Sequence, residues 1–189
     1  MKIHGTAKGG ALSKKDFGVA FGSPVPSITQ SQLETGGSPG SAHFYESGAT
    51  YTGMKFNSGS ALGVGENIIQ FKMNFKRTGT ATGNVTAKLF DSGGSVKETS
   101  STSLSANTVS TNYTWYTFDF GNSVAIANGD IIACVYSAGG GGAGGAPYMT
   151  AQWHGTDVYD GTNSIFTNEA DGDITGGDLT FYLTYSDSS

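Results

Sequence analysis

From residue 68 onward, apolar and polar residues alternate along most of the chain. In "NIIQFKMNFK", Ile69, Phe71, Met73 and Phe75 fall on one side and Gln70, Lys72, Asn74 and Lys76 on the other. That is the pattern of a strand with one buried face. "NVTAKLF" repeats it with Val85, Ala87 and Leu89 inward. "YTWYTFDF" sets Tyr116, Phe118 and Phe120 against Tyr113, Trp115, Thr117 and Asp119. "DIIACVY" is apolar on both sides, as a covered central strand requires. "APYMTAQW" and "DLTFYLTYS" add two more strands, the last with Leu179, Phe181, Leu183 and Tyr185 facing one way. Turn signals "DSGG", "FGNS" and "ANGD" separate these runs at intervals of roughly 10 residues, the spacing of a sandwich or barrel. No useful stretch carries a 3.6-residue period.

The pattern predicts an all-β chain, a jelly-roll-like antiparallel β-sandwich with an extended N-terminal arm. Residues 1–45 lack alternation and hold three of the four prolines, so they read as arm and loop. Residues 46–189 read as the single sandwich domain. The glycine-rich stretch after Tyr136, six glycines in residues 139–145, breaks the alternation. A phosphate loop needs Gly-x-x-x-x-Gly-Lys-Ser/Thr before a helix, but here the run ends "GAPYMT" and a strand follows. The strand pattern continues on both sides, so the stretch is an inter-strand loop rather than a linker.

Composition narrows the class. Charged residues are 13% and aromatics 12%, with Gly, Ser, Thr and Asn filling the polar positions. The aromatics supply enough apolar area to offset the ordering entropy of a glycine-rich chain. Such an uncharged polar surface suits extracellular modules and virion proteins. All ten Lys and Arg lie at or before Lys97, and from Glu98 on there are ten acids and no base. That polarity fits head-to-tail packing of copies, unless the two halves interleave within one sandwich, as sandwich halves commonly do. The basic residues are scattered without interleaved aromatics, which argues against nucleic acid. No window is long and apolar enough to span a membrane. If Met1 is the native start, no Sec signal precedes the chain. The expected location is then a virion, or an extracellular surface reached by another route.

From about Gly53 to Tyr185 the order of features resembles jelly-roll modules of the galactose-binding-like and choice-of-anchor type. The resemblance is carried by "IIQFKMNFKRTGTATGNVTAKLFDSGG", "WYTFDFGNSVAIANGDIIACVYSAG" and "VYDGTNSIF…DLTFYLTY". It implies an eight-to-ten-stranded sandwich used for attachment or for sugar binding, and no catalytic residue.

Candidate chemistry is sparse. Trp153, His154, Asp157, Tyr159 and Asp160 in "WHGTDVYD" form the best ligand-binding candidate. Aromatic rings stack on the apolar face of a sugar while carboxylates take its hydroxyls. The competing reading turns Trp153 into the core, in line with Met149 and Ala151, and large aromatics favour that side. Asp171, Asp173 and Asp178 in "EADGDITGGD" offer oxygen ligands, which makes calcium the candidate ion and no other cofactor expected. Against this stands a plain solvated loop, because the twelve-residue EF-hand spacing is absent. His4, His43 and His154 form no zinc-binding spacing. Cys134, the one cysteine, lies within an apolar strand with no base indicated, so it reads as a core residue.

The expected function is a non-enzymatic structural or attachment protein. It is read as a self-assembling virion component (capsid, fibre or decoration) or a surface filament subunit, with homo-oligomer contacts through the N-terminal arm. The alternative is a carbohydrate-binding jelly-roll module that holds a cell-surface glycan.

Overall fold

Alternating residues become strands wherever the pattern predicts them. The computed structural model describes residues 27–32, 39–45, 51–57, 63–137, 145–154, 163–167, 173–174 and 178–187. The strands are β1 (Ser27–Gln32), β2 (Pro39–Phe44), β3 (Tyr51–Phe56), β4 (Ile68–Thr78), β5 (Asn84–Phe90), β6 (Val96–Ser105) and β7 (Thr114–Asp119). They continue with β8 (Ile131–Ser137), β9 (Tyr148–His154), β10 (Asn163–Thr167), β11 (Asp173–Ile174), β12 (Asp178–Leu179) and β13 (Phe181–Ser186). A short 3₁₀ turn at Ala106–Thr108 interrupts the β6–β7 connection. No described helix is long and apolar enough to cross a membrane.

Every strand pair is antiparallel, and the strands form two sheets curled into a sandwich. The six-stranded sheet runs β11-β10-β3-β8-β5-β6. The seven-stranded sheet runs β1-β13-β4-β9-β12, with β7 also on β4 and β2 also on β9. From β3 to β10 the chain changes sheet at every connection except β5–β6, the winding of a jelly-roll-like sandwich.

The core lies between the sheets. Phe71, Met73 and Phe75 of β4, Val85, Ala87 and Leu89 of β5, and Leu179, Phe181 and Leu183 near the C-terminus are fully buried. Each such side chain removed from water contributes about 1.5–3 kcal/mol, less for alanine. Rings of Phe44, Tyr116 and Phe118 surround Phe75, with centroids 5.8, 4.5 and 6.4 Å away. Central strand β8 is covered on both sides from Ile131 to Cys134, as its continuous apolar run requires.

The inward set differs from the pattern at one point. Ile68 is buried and Ile69 only partly so, although Ile69 shares the parity of Phe71. Opposite Thr184 and Tyr185 the register jumps from Gln70 to Ile68. This bulge leaves Ile69 as the extra residue and turns Ile68 inward beside Tyr185.

Two strands lie within the stretch read from sequence as arm and loop. β1 pairs with β13 over six residues, and β2 pairs with β9 over six. "SITQSQ" carries no apolar period because β1 is held by its main-chain ladder, and Ser27, Ile28 and Thr29 remain exposed. β2 sends only Ala42 and Phe44 into the core, too short a signal to read as a strand. Residues 1–26, and with them the expected arm contact to a neighbour, lie outside the described residues, as do residues 138–144 of the glycine run.

Turns follow their chemistry. In "DSGG", Asp91 Oδ1 accepts from the amides of Gly93 and Ser95 at 2.9 and 2.8 Å, while Gly94 takes φ 86°, open to glycine without strain. Edge strands β6 and β7, from opposite sheets, meet through side chains. The Thr102 hydroxyl accepts from the Asp119 amide at 3.1 Å, Ser101 donates to the Asp119 carbonyl, and Glu98 accepts from the Gly121 amide. These bonds give the exposed edges partners where no ladder forms. At the opposite side the seven-stranded sheet forks. The Thr180 amide donates to the Gln152 carbonyl of β9, and its carbonyl accepts from Asn74 of β4. The chain thus passes from β9, through Thr180, to a new partner.

Candidate functional site

Strand β9 positions the first two residues of the expected ligand stretch. Met149 and Ala151 are fully buried, and Trp153 is partly buried and packed against the core. Trp153 lies opposite Gly40 of β2 and Leu179 of β12. A Cβ on Gly40 would fall within the indole ring, so the bare glycine backbone makes the room that the indole occupies. Of the two readings for Trp153, the packing matches the one that turns it to the core.

The other side of β9 is also covered: Thr150, Gln152 and His154 are 2%, 6% and 2% exposed. Tyr113 reaches across this side to bond Ser41 Oγ at 3.2 Å. Asp157, Tyr159, Asp160 and Asp171 lie outside the described residues. For Asp173 and Asp178 only the main chain is described; it places Asp173 on the six-stranded sheet and Asp178 on the seven-stranded one. Among the described residues no group of His, Cys, Asp or Glu could hold a metal ion.

A different set of residues comes together on the outer face of the seven-stranded sheet. β4 lies between β13 and β7, so its polar side is flanked by theirs. Trp115 of β7 and Tyr182 of β13 approach from opposite sides of β4, ring centroids 4.8 Å apart and planes at 59°. The Lys72 ammonium sits 5.4 Å from the Tyr182 ring centre, and that of Lys76 sits 4.5 Å from the ring centre of Tyr113. Asn74, between the two lysines and directly opposite Trp115, donates its amide to Gln152 Oε1 at 2.9 Å. Farther along, the rings of His43 and Tyr148 meet at a tilt of 33°, centroids 4.7 Å apart.

The result is an open platform of rings with amide and ammonium groups between them; the described residues form no pocket. All three aromatic residues at its centre, Tyr113, Trp115 and Tyr182, are only partly buried. A half-exposed ring of this kind can stack on a ring-shaped ligand while the ammonium groups bond its polar rim. The alternation had already put Trp115 and Lys72 on outward positions. The adjacency of β4, β7 and β13 joins them, and no spacing along the chain encodes it.

Several reactive groups among the described residues have structural roles. Burial pushes the Cys134 thiol well above its ordinary pKa, so it is a poor nucleophile. Asp130, 3% exposed, accepts from Lys97 Nζ and the Ala127 amide and clamps the turn before β8. Arg77 donates to the carbonyls of Val109 and Gly79, fixing the end of the β6–β7 connection. Tyr51 stacks on Phe90 at 5.1 Å, and its partial burial raises the phenol pKa.

No family model matches this chain, and no curated protein matches it.

Proposed function

We propose that the chain is a non-enzymatic attachment module that grips a glycan on the outer face of its seven-stranded sheet. The observation that carries this is the Trp115–Tyr182 pair meeting over β4, with Lys72, Asn74 and Lys76 between and beside the rings. Sugar rings offer an apolar face to such a platform and a rim of hydroxyls to the ammonium groups. The non-enzymatic part is supported by carboxylates already engaged in holding turns and edges, such as Asp130 and Glu98, and by the sealed Cys134.

The test is Trp115→Ala on a glycan array. Binding should disappear while the melt stays cooperative, because Trp115 is only partly buried. An array on which the parent protein binds no glycan, or on which the variant binds equally well, removes the reading.

A self-assembling subunit of a virion or surface filament is the second reading. It is favoured by the split of charge along the sequence and by β1, whose far edge pairs with no described strand. Native mass measurement decides it: a monomer at micromolar concentration would leave only the glycan-binding module.

A further inference from the structure

We infer that the ligand of this face is an acidic glycan, a polysaccharide bearing carboxylate or sulfate groups; this rests on the glycan reading above. Lys72 and Lys76 both project from the outer side of β4, and neither forms an ion pair among the described residues. Lys97, by contrast, is matched to Asp130. The two platform ammoniums are held instead by the faces of Tyr182 and Tyr113. Ring faces position a cation and leave its charge uncancelled.

Four residues along a strand separate the two lysines by about 13 Å. Asn74 and Trp115 lie level with one another between them. The charges therefore line a track rather than converge on one point, which suits anionic groups repeated along a sugar chain. Asp119, a carboxylate on the same side of the sheet, stands beyond Lys72 and is engaged by Gln70 at 2.7 Å and Thr102 at 3.3 Å. The whole chain carries a net charge of −5, so an acidic polymer is drawn only where cations gather, and this face supplies two. Extended polyphosphates fit less well: nucleic-acid affinity is built from many neutralised phosphates, and this face offers two cations.

The test uses two matched pairs of polymers, polygalacturonate against its methyl ester and dextran sulfate against dextran, with affinities from titration calorimetry. At least one acidic polymer should bind tenfold or more tightly than its neutral partner, and the first pair against the second tells carboxylate from sulfate. Added salt should weaken that binding. Lys72→Gln with Lys76→Gln should erase the preference, each lysine accounting for about tenfold, the worth of one charge-assisted hydrogen bond at a half-exposed site. Lys88→Gln, on the six-stranded sheet, should leave the preference intact.

Equal affinity for acidic and neutral partners, with both lost in Trp115→Ala, would overturn the acidic inference and leave the glycan site standing. Failure of all four polymers to bind, on a protein that also binds nothing on the array, removes both. Double-stranded DNA or anionic vesicles binding as tightly as the best polymer, with the same lysine dependence, would show a general polyanion surface and overturn the glycan class.

Discussion

Replacing Trp153 by alanine tests whether the indole belongs to the core or to a binding surface, and Gly40 makes the test quantitative. A tryptophan buries up to about 250 Å², which at ~25 cal/mol per Å² sets a ceiling near 6 kcal/mol. Trp153 is partly exposed and one side of it rests on the Gly40 backbone, so about 3 kcal/mol is the expected loss. Gly40→Ala alone pushes a methyl into the ring and forces the indole off its seat, at a cost of about 2 kcal/mol. In the Trp153→Ala background the same methyl enters vacated space, and its cost should vanish. The cycle therefore predicts a coupling of about 2 kcal/mol between the two sites, far above the few tenths expected of independent positions. Urea melts of the four proteins measure it. Additive losses would show that the ring does not occupy the space above Gly40. A Trp153→Ala loss below about 1 kcal/mol, accompanied by lost glycan binding, would return Trp153 to the ligand.

Asp130→Ala should destabilise the fold by about 2–3 kcal/mol, because it strands the Ala127 amide and leaves the partly buried Lys97 ammonium with the Ala125 carbonyl but no counter-charge; a denaturant midpoint unchanged from the parent would refute the clamp. Cys134 should resist alkylation at pH 8 until the protein unfolds, and rapid labelling of the native state would contradict its burial. Since the folded thiol has the raised pKa, the folded state keeps its proton longer; stability is full below the ordinary thiol pKa of about 8.5 and declines as pH rises above it, a decline that Cys134→Ala should flatten. Thr102→Val should cost about 1 kcal/mol and speed hydrogen exchange of the Asp119 amide, whereas unchanged exchange there would mean the β6–β7 seam is held by other contacts.

Much of the sandwich was legible in the sequence because its strands have one wet side. Val85, Ala87 and Leu89 could be assigned to the interior from alternation alone. The pattern misplaced Ile69 because a bulge is a property of two strands in register, and one strand cannot reveal it. β1 was illegible for a related reason: its residues bury little, and its main-chain bonds to β13 leave no mark on side-chain choice. For the platform, the outward rings and lysines were visible, and their meeting was not. Lys72, Trp115 and Tyr182 belong to three separate strands that topology alone makes neighbours. At Trp153 the aromatic beside histidine and acids reads as a sugar site from sequence, and the missing side chain at Gly40, which seats the indole against the core, lies on another strand and leaves no mark nearby.

The pairing of Ser27 with Ser186 has a mechanical consequence. The first and last described strands lie side by side and antiparallel, so the chain enters and leaves the sandwich at one corner. Tension between the two ends pulls on the terminal rung of the β1–β13 ladder first and parts its rungs one after another, as a zipper opens. Tension between the outer face and the C-terminal end loads β13 differently. That strand is bonded to β1 on one side and to β4 on the other, and it must slide against both at once. Under the attachment reading proposed above, a target held by the face and a support held by the C-terminal end would load the sandwich in its stronger direction.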